Sequence, residues 1–405
     1  MKHTKKGNKK LLLILFIILL IFIIFIFNKY NKNANTNTEN NSTETTLSNN
    51  NTKQDTAEPI TFTLTSLGDT LCHNTQYWDA YNSKTDEYDF SYVYEDIKNY
   101  TLSSDITIGS LETTFAGKEK GYSNYPTFNT PDSLATALKD IGVDVVSLAG
   151  NHALDYGYSG LCRTIDVFDN IGLSHLGTYK TAEDQEKILM KDVKGVKIAF
   201  INYTYGTNGI PLPSGKDFCV NLIDKDFIKK QINQAKEQNV DMIVACMHWG
   251  TEYRTTANSE QKDLANFLFE NGVDVILGNH PHVLEPMEKK TITLQDGTTK
   301  DVFVVYALGN FTADQRDEIT RDSAILNLTI TKNSNGKISI DKVNYIPIYM
   351  YKNTNVSIHK FKILDIEKTI KDYEEGKNTS INSTVYNNLK KQLEKIKSIL
   401  GDELN

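Results

Sequence analysis

From residue 60 onward the chain alternates short apolar runs with longer amphipathic ones. TFTLTSLGD (61–69), DITIGSLE (105–112), VDVVSLAGNH (143–152), VKIAFINYTYG (196–206), VDMIVACMHWG (240–250) and VDVILGNH (273–280) are rich in Val and Ile and predict buried strands. Helices fit between several of them. Thr130 and Pro131 offer an N-cap and first turn for PDSLATALKDIG, with Gly142 as the stop. DKDFIKKQINQAKEQN (224–239) and NSEQKDLANFLFENG (258–272) precede the next two strands in the same way. This alternation predicts an α/β domain with at least partly parallel strands. After residue 300, VFVVYALGNF, SAILNLTITKN and KISIDKVNYIPIYMY predict antiparallel strands, and residues 384–400 predict a C-terminal helix.

The first 58 residues follow another pattern. LLLILFIILLIFIIFIF, residues 11–27, is an unbroken apolar run, and extended to residue 30 it reaches the length of a membrane-spanning helix. No small-residue cleavage site follows, so a retained signal anchor is expected. Lys2, Lys5, Lys6, Lys9 and Lys10 precede it and hold a cytoplasmic tail (1–10) inside, which sends the remaining chain across the cell membrane. Residues 31–58 are almost wholly polar and predict a disordered linker, leaving 59–405 as the extracytoplasmic domain.

Charge narrows the choice of partner. The first 30 residues hold six of the 44 basic residues and no acid, so the rest carries 38 basic against 51 acidic side chains, a formal charge of −13. That balance argues against nucleic acid. Of four cysteines, Cys246 lies inside the apolar run MIVACM and is expected to be a buried thiol, and no disulfide scaffold is predicted.

Ligands of open α/β sheets bind beyond the carboxyl ends of the strands, and these strands end in an unusual set of residues. Asp69 is followed by His73; Glu112 ends the second strand; Asn151 and His152 end the third, with Asp155 nearby; His248 and Glu252 follow the fifth; His280 and His282 close the sixth. Five of the eight histidines sit at such ends. Imidazole, carboxylate and amide donors without cysteine suit an open divalent-metal centre for Mn, Fe or Zn rather than a closed structural zinc site. In HPH the proline biases His280 away from helix, so the stretch is expected to run extended with both imidazoles on one face. Trp249, Tyr253, Tyr203 and Tyr205 are candidates for lining a polymer groove, Asn310 for orienting a ligand, and Arg163, Arg254, Arg316 and Arg321 for meeting carboxylates.

SLGDTLCH, GSLETTF, LAGNHALDYG, MHWGTEY, GNHPHV and YALGNF, in this order over residues 61–311, resemble the bacterial capsule biosynthesis proteins of the CapA type. The resemblance implies a calcineurin-like metallophosphatase αββα sandwich and a role in making poly-γ-glutamate, an anionic polymer, alongside other membrane subunits of a polymer synthase complex. It also implies one or two metal ions. Asp69, Glu112, Asn151, His248, His280 and His282 match ligand positions, His73 stands nearest the histidine of the first motif, and His152, beside Asp155, matches a proton donor. Trp249, Glu252, Tyr253 and Asn310 are the expected substrate-binding residues. Two departures stand out: Thr70 follows Asp69 where the phosphoesterase pattern has Asp-x-His, and Glu112 replaces an aspartate. The resemblance leaves two alternatives open, a metal-dependent phosphoesterase or amide hydrolase and a non-catalytic polymer-binding module.

Overall fold

The computed structural model describes residues 58–404 apart from 295 and 379. The expected tail, membrane helix and nearly all of the polar linker lie outside the described residues. Among the described residues no helix is long and apolar enough to cross a membrane.

Among the described residues sixteen strands form two large sheets and a ribbon. In the first sheet β1 (Ile60–Thr70) pairs in parallel with β4 (Ile106–Leu111), while β2 (Tyr81–Asn82) and β3 (Glu87–Tyr88), between them in the chain, form the separate ribbon. β5 (Val145–Ser147) and β6 (Ser174–Leu176) continue the parallel half. In the second sheet β7 (Leu189–Val193) is antiparallel to β8 (Val196–Thr204), which is parallel to β9 (Met242–His248), and β9 to β10 (Val275–Asn279). β11 (Met287–Thr293) and β12 (Thr299–Val305) complete it. β13 (Asn310–Thr312) returns to the first sheet, and β14 (Asp322–Lys332), β15 (Ile338–Lys352) and β16 (Phe361–Asp365) extend it antiparallel beyond β1.

Period-two alternation builds the layers. Ile198 and Phe200, Val244 and Cys246, and Val275 and Leu277 face Phe62, Leu64, Ile106 and Ile108 in a core between the sheets. The intervening Ala199, Ile201, Ile243, Ala245 and Ile276 pack outward under the helices Lys225–Glu237 and Ser259–Glu270. On the opposite side, Val146 and Leu148 pack under the helices Ser133–Asp140 and Gly157–Ile171. Strands buried on both faces must be apolar at nearly every position, which is why these runs read as continuous. The result is the expected αββα sandwich.

Several local expectations are corrected. The third strand stops at Ser147 rather than reaching His152, and the helix Gly157–Ile171, which the strand pattern did not announce, follows. Thr130 does not cap its helix, because its hydroxyl bonds that of Thr113 at 2.7 Å; Asp132 becomes the N-cap and Ser133 the first helical residue. VFVV is not simply antiparallel: β12 is parallel to β10 and antiparallel only to β11, and β13 is parallel to β1. β14 and β15 are antiparallel as expected. Cys72, Cys162, Cys219 and Cys246 are all free thiols.

Candidate metal centre

The carboxyl ends of β1, β4, β8, β9 and β10 point at one place. Ladder register sets Asp69 of β1 opposite Ser110 of β4, and His248 of β9 opposite both Thr204 of β8 and Asn279 of β10. Two glycines let the backbones close in. A Cβ on Gly68 would lie 2.1 Å from the Gly309 carbonyl oxygen, and one on Gly278 only 1.9 Å from that of Tyr306.

The expected ligands gather into two trios that share Glu112. One ligand atom each from Glu112, His248 and His280 lie within 4.8 Å of one another, and so do atoms of Asp69, Glu112 and His282. Glu112 Oε1 is 3.7 Å from His248 Nε2 and 4.0 Å from His280 Nδ1, while Oε2 is 3.6 Å from His282 Nδ1. All five side chains are buried. Neither carboxylate oxygen of Glu112 nor Nδ1 of His280 has a hydrogen-bond partner.

That pattern tests whether the residues suit a cation. A buried carboxylate with two empty oxygens is expensive unless a cation compensates it. Burial first, then the charges of Asp69, Glu252 and Asp155, pushes the Glu112 carboxyl well above its usual range. Asp69 is raised to about 7 by burial, against the hydrogen bonds from the His280 N–H and Ser110. Burial also pushes His248 well below the ordinary imidazole range, His280 to about 3 and His282 to about 4, so all three rings are neutral and available as donors to a metal. The set fits a divalent ion.

Neighbouring groups hold the ligands in place. Ser110 Oγ donates to Asp69 Oδ1 at 2.9 Å, and His280 N–H to Asp69 Oδ2 at 2.7 Å. Asn151 Oδ1 lies 2.9 Å from His248 Nε2. Asn310 is not a free substrate contact: it is buried, its Oδ1 is 3.0 Å from His282 Nδ1, and its amide donates to Gln315 and the Thr320 carbonyl. The nitrogens that meet Asn151 and Asn310 are also the ones nearest Glu112, so these amides stand at the centre itself.

The HPH stretch is not extended. His280 has φ +102° and His282 φ +62°, in a region that costs a non-glycine residue on the order of 1–3 kcal/mol. Tyr253 (φ +63°) shares this strain beside the centre, whereas Asn208 (φ +52°) is of a residue type that adopts the left-handed region readily. The bond from the His280 N–H to Asp69 and that from Tyr253 N–H to the Pro281 carbonyl at 2.8 Å hold the turn.

A cleft of about 760 Å³ opens over the centre, lined by His73, His152, Glu252, Tyr253 and His282 among others. His152 Nδ1 pairs with Asp155 Oδ2 at 2.8 Å. Glu252 and Tyr253 are exposed at its edge. Trp249 is not a groove residue: it is 2% exposed, its indole N–H bonds the Tyr306 carbonyl at 2.9 Å, and it belongs to the outer core of the second sheet. Tyr203 is likewise buried, whereas Tyr205 is about half exposed with its ring centre 4.6 Å from that of His280. Arg163 is spent on Asp132 and Arg321 on Asp314. His73 lies in neither trio, and its Nδ1 accepts the Asp314 backbone N–H at 3.1 Å.

Sequence reasoning missed Asn208. Its Oδ1 is 3.2 Å from Asn151 Nδ2 and its amide nitrogen 3.4 Å from the His152 ring nitrogens, so it ties two site residues together. The signal available was the turn sequence TNG after a buried strand, which alone says only turn.

Fold and site define an αββα protein with a buried histidine–carboxylate centre of metal-binding type beneath an open polar cleft. The sequence profile described as "Bacterial capsule synthesis protein PGA_cap" matches residues 63–315, and the chain belongs to that family. It is 30% identical over 262 residues to the PGA biosynthesis protein CapA of Bacillus subtilis (strain 168), covering 62% of this chain and 64% of that protein. It is 28% identical over 266 residues to the capsule biosynthesis protein CapA of Bacillus anthracis, covering 64% and 62%. The matches thus span less than two thirds of the length of these relatives. Among solved structures, the NAD nucleotidase of Haemophilus influenzae is similar with a TM-score of 0.44 at 15% identity over 84% of this chain and 61% of that one. A 5′-nucleotidase precursor of Thermus thermophilus gives 0.44 at 16% over 72% and 55%. Similarity at that level carries no reading of activity to this chain.

Proposed function

We propose that this chain works outside the cytoplasm, anchored in the cell membrane by residues 11–30, in the synthesis or export of the anionic polymer poly-γ-glutamate, together with membrane subunits of a polymer synthase. The observation that carries this reading is one of placement. Asp69, Glu112, Asn151, His152, His248, His280 and His282 all fall within residues 63–315, the segment by which the chain belongs to its family. The names of the two Bacillus relatives supply the polymer and the process.

In this reading the centre holds one or two ions of Mn, Fe or Zn. Asp69, Glu112 and His282 would hold one ion, and Glu112, His248 and His280 would hold a second. A bound ion would supply Lewis acidity and a water made acidic enough to ionise near neutral pH. The chain's own residues do the rest. Asn151 would join His248 as a further ligand, Asn310 orients His282, Asp155 fixes His152 through Nδ1, and Glu252 and Tyr253 border the space where polymer or precursor would lie.

Deleting the gene is expected to remove surface polyglutamate, and Glu112→Gln is expected to fail to restore it. An unchanged capsule in the deletion strain would sink the reading. The pairing of His152 with Asp155 at the cleft favours a second reading, a metal-dependent hydrolase of a phosphate ester or envelope amide. It requires turnover by the purified protein that is lost on chelation and in His280→Ala. Full capsule after Asp69, His248 and His280 are replaced together would instead mark a non-catalytic polymer-binding module.

A further inference from the structure

His73 stands at the cleft without serving the centre. It follows β1 by three residues, has extended backbone (φ −81°, ψ 161°), and N-caps the helix Asn74–Ala80. Its ring packs edge-on against Phe128 with centroids 5.5 Å apart, and Phe128 packs in the same way on His152 at 4.8 Å, so one phenyl ring spaces two imidazoles along the cleft wall.

The tautomer of this ring follows from one hydrogen bond. A backbone N–H can only donate, and that of Asp314 meets His73 Nδ1 at 3.1 Å, so Nδ1 carries no proton. A neutral imidazole then carries its proton on Nε2. The Asp314 carboxylate does not compete for that proton, since Thr75 Oγ1 at 2.6 Å, Arg321 Nη2 at 3.1 Å and Lys352 Nζ already occupy it. A ring with Nδ1 occupied and Nε2 protonated cannot ligate a metal without giving up one of these bonds.

We infer that His73 is a ligand-binding residue of the cleft, presenting Nε2–H as a fixed donor to an oxygen of an oxyanion held beside the metal centre. This deepens the proposed function and rests on the centre being loaded. The oxyanion could be a phosphoryl group or a carboxylate of the polymer; the chemistry shared by both is a charged oxygen accepting an N–H.

The test uses the full chain loaded with zinc and inorganic phosphate as the probe, compared in wild type, His73→Asn and His73→Gln. Asn can still accept the Asp314 N–H through Oδ1 but offers nothing at the Nε2 position, whereas Gln restores a donor near it. His73→Asn should keep the zinc stoichiometry and melting temperature and weaken phosphate binding by about tenfold. His73→Gln should recover most of that loss, and pyroglutamate or γ-glutamyl dipeptide in place of phosphate separates the two sources. Loss of zinc in His73→Asn, an unchanged phosphate affinity in that variant, or no saturable phosphate binding by the zinc-loaded wild type would overturn the inference. Nitrogen-15 imidazole spectra of the metal-free protein decide the tautomer independently of the centre: an unprotonated Nδ1 is expected, and a protonated one would refute the donor assignment even where zinc binding holds.

Discussion

The backbone N–H of His280 donates to Oδ2 of Asp69 at 2.7 Å, joining the last ligand block to the first across 211 positions of the chain. This bond offsets the cost of a histidine at φ +102° and fixes how far β10 stands from β1 at their carboxyl ends. Asp69→Asn keeps an acceptor for that N–H but removes the charge. Its melting temperature is expected to stay within a few degrees of wild type, while metal affinity falls at least about tenfold, as titration of the metal-free protein would show.

Asn208 makes a sharper test of positioning. Asn208→Gly retains a backbone at ease with φ +52° and deletes the amide that spans Asn151 and His152. Metal affinity is expected to drop about tenfold with little loss of stability. Unchanged affinity would show that Asn151 needs no second anchor.

Trp249 and Tyr253 lie four residues apart and should behave oppositely. Trp249→Ala leaves a void in the outer core and an unpaired Tyr306 carbonyl, and should lower stability by about 3–5 kcal/mol in denaturant titration. Tyr253→Phe removes a hydroxyl at an exposed edge and should leave stability within about 0.5 kcal/mol.

Glu285 gives the fold a pH dependence. It is fully buried, only Gln261 Nε2 at 2.5 Å meets its carboxylate, and burial raises it from 4.5 to about 7. The folded state therefore binds a proton that the unfolded state releases at lower pH. Stability from this group is full below about pH 4.5 and is lost as pH rises through about 7. Glu285→Gln removes the loss, so the variant should gain on wild type by on the order of 2 kcal/mol at pH 8 relative to pH 5. A pH-independent difference between the two would contradict it.

What is legible in the sequence follows from distance along the chain. The β8, β9 and β10 runs are readable because each is apolar on both faces, a local property. The histidine and carboxylate ligands are readable because each closes such a run. The shape of HPH is not: the local bias of Pro281 favours extension, and a bond to Asp69 overrides it. The role of His73 is hidden for the same reason, since its place after Asp69 is local but the Asp314 N–H that occupies its ring arrives from 241 positions away. Trp249 follows a ligand histidine, and strand alternation turns it to the opposite face. The parallel pairing of β12 and β13 depends on partners far upstream, which no local pattern encodes.

Glu112 is the residue on which the metal reading stands, with two buried oxygens and no hydrogen-bond donor on either. Elemental analysis of protein purified without chelator, in wild type and Glu112→Gln, measures the claim directly. At least one equivalent of a divalent transition metal per wild-type chain and less than about a tenth of that in the variant is the expected result. Wild-type protein that holds under about half an equivalent, and takes up no more when offered Mn, Fe or Zn, would contradict it.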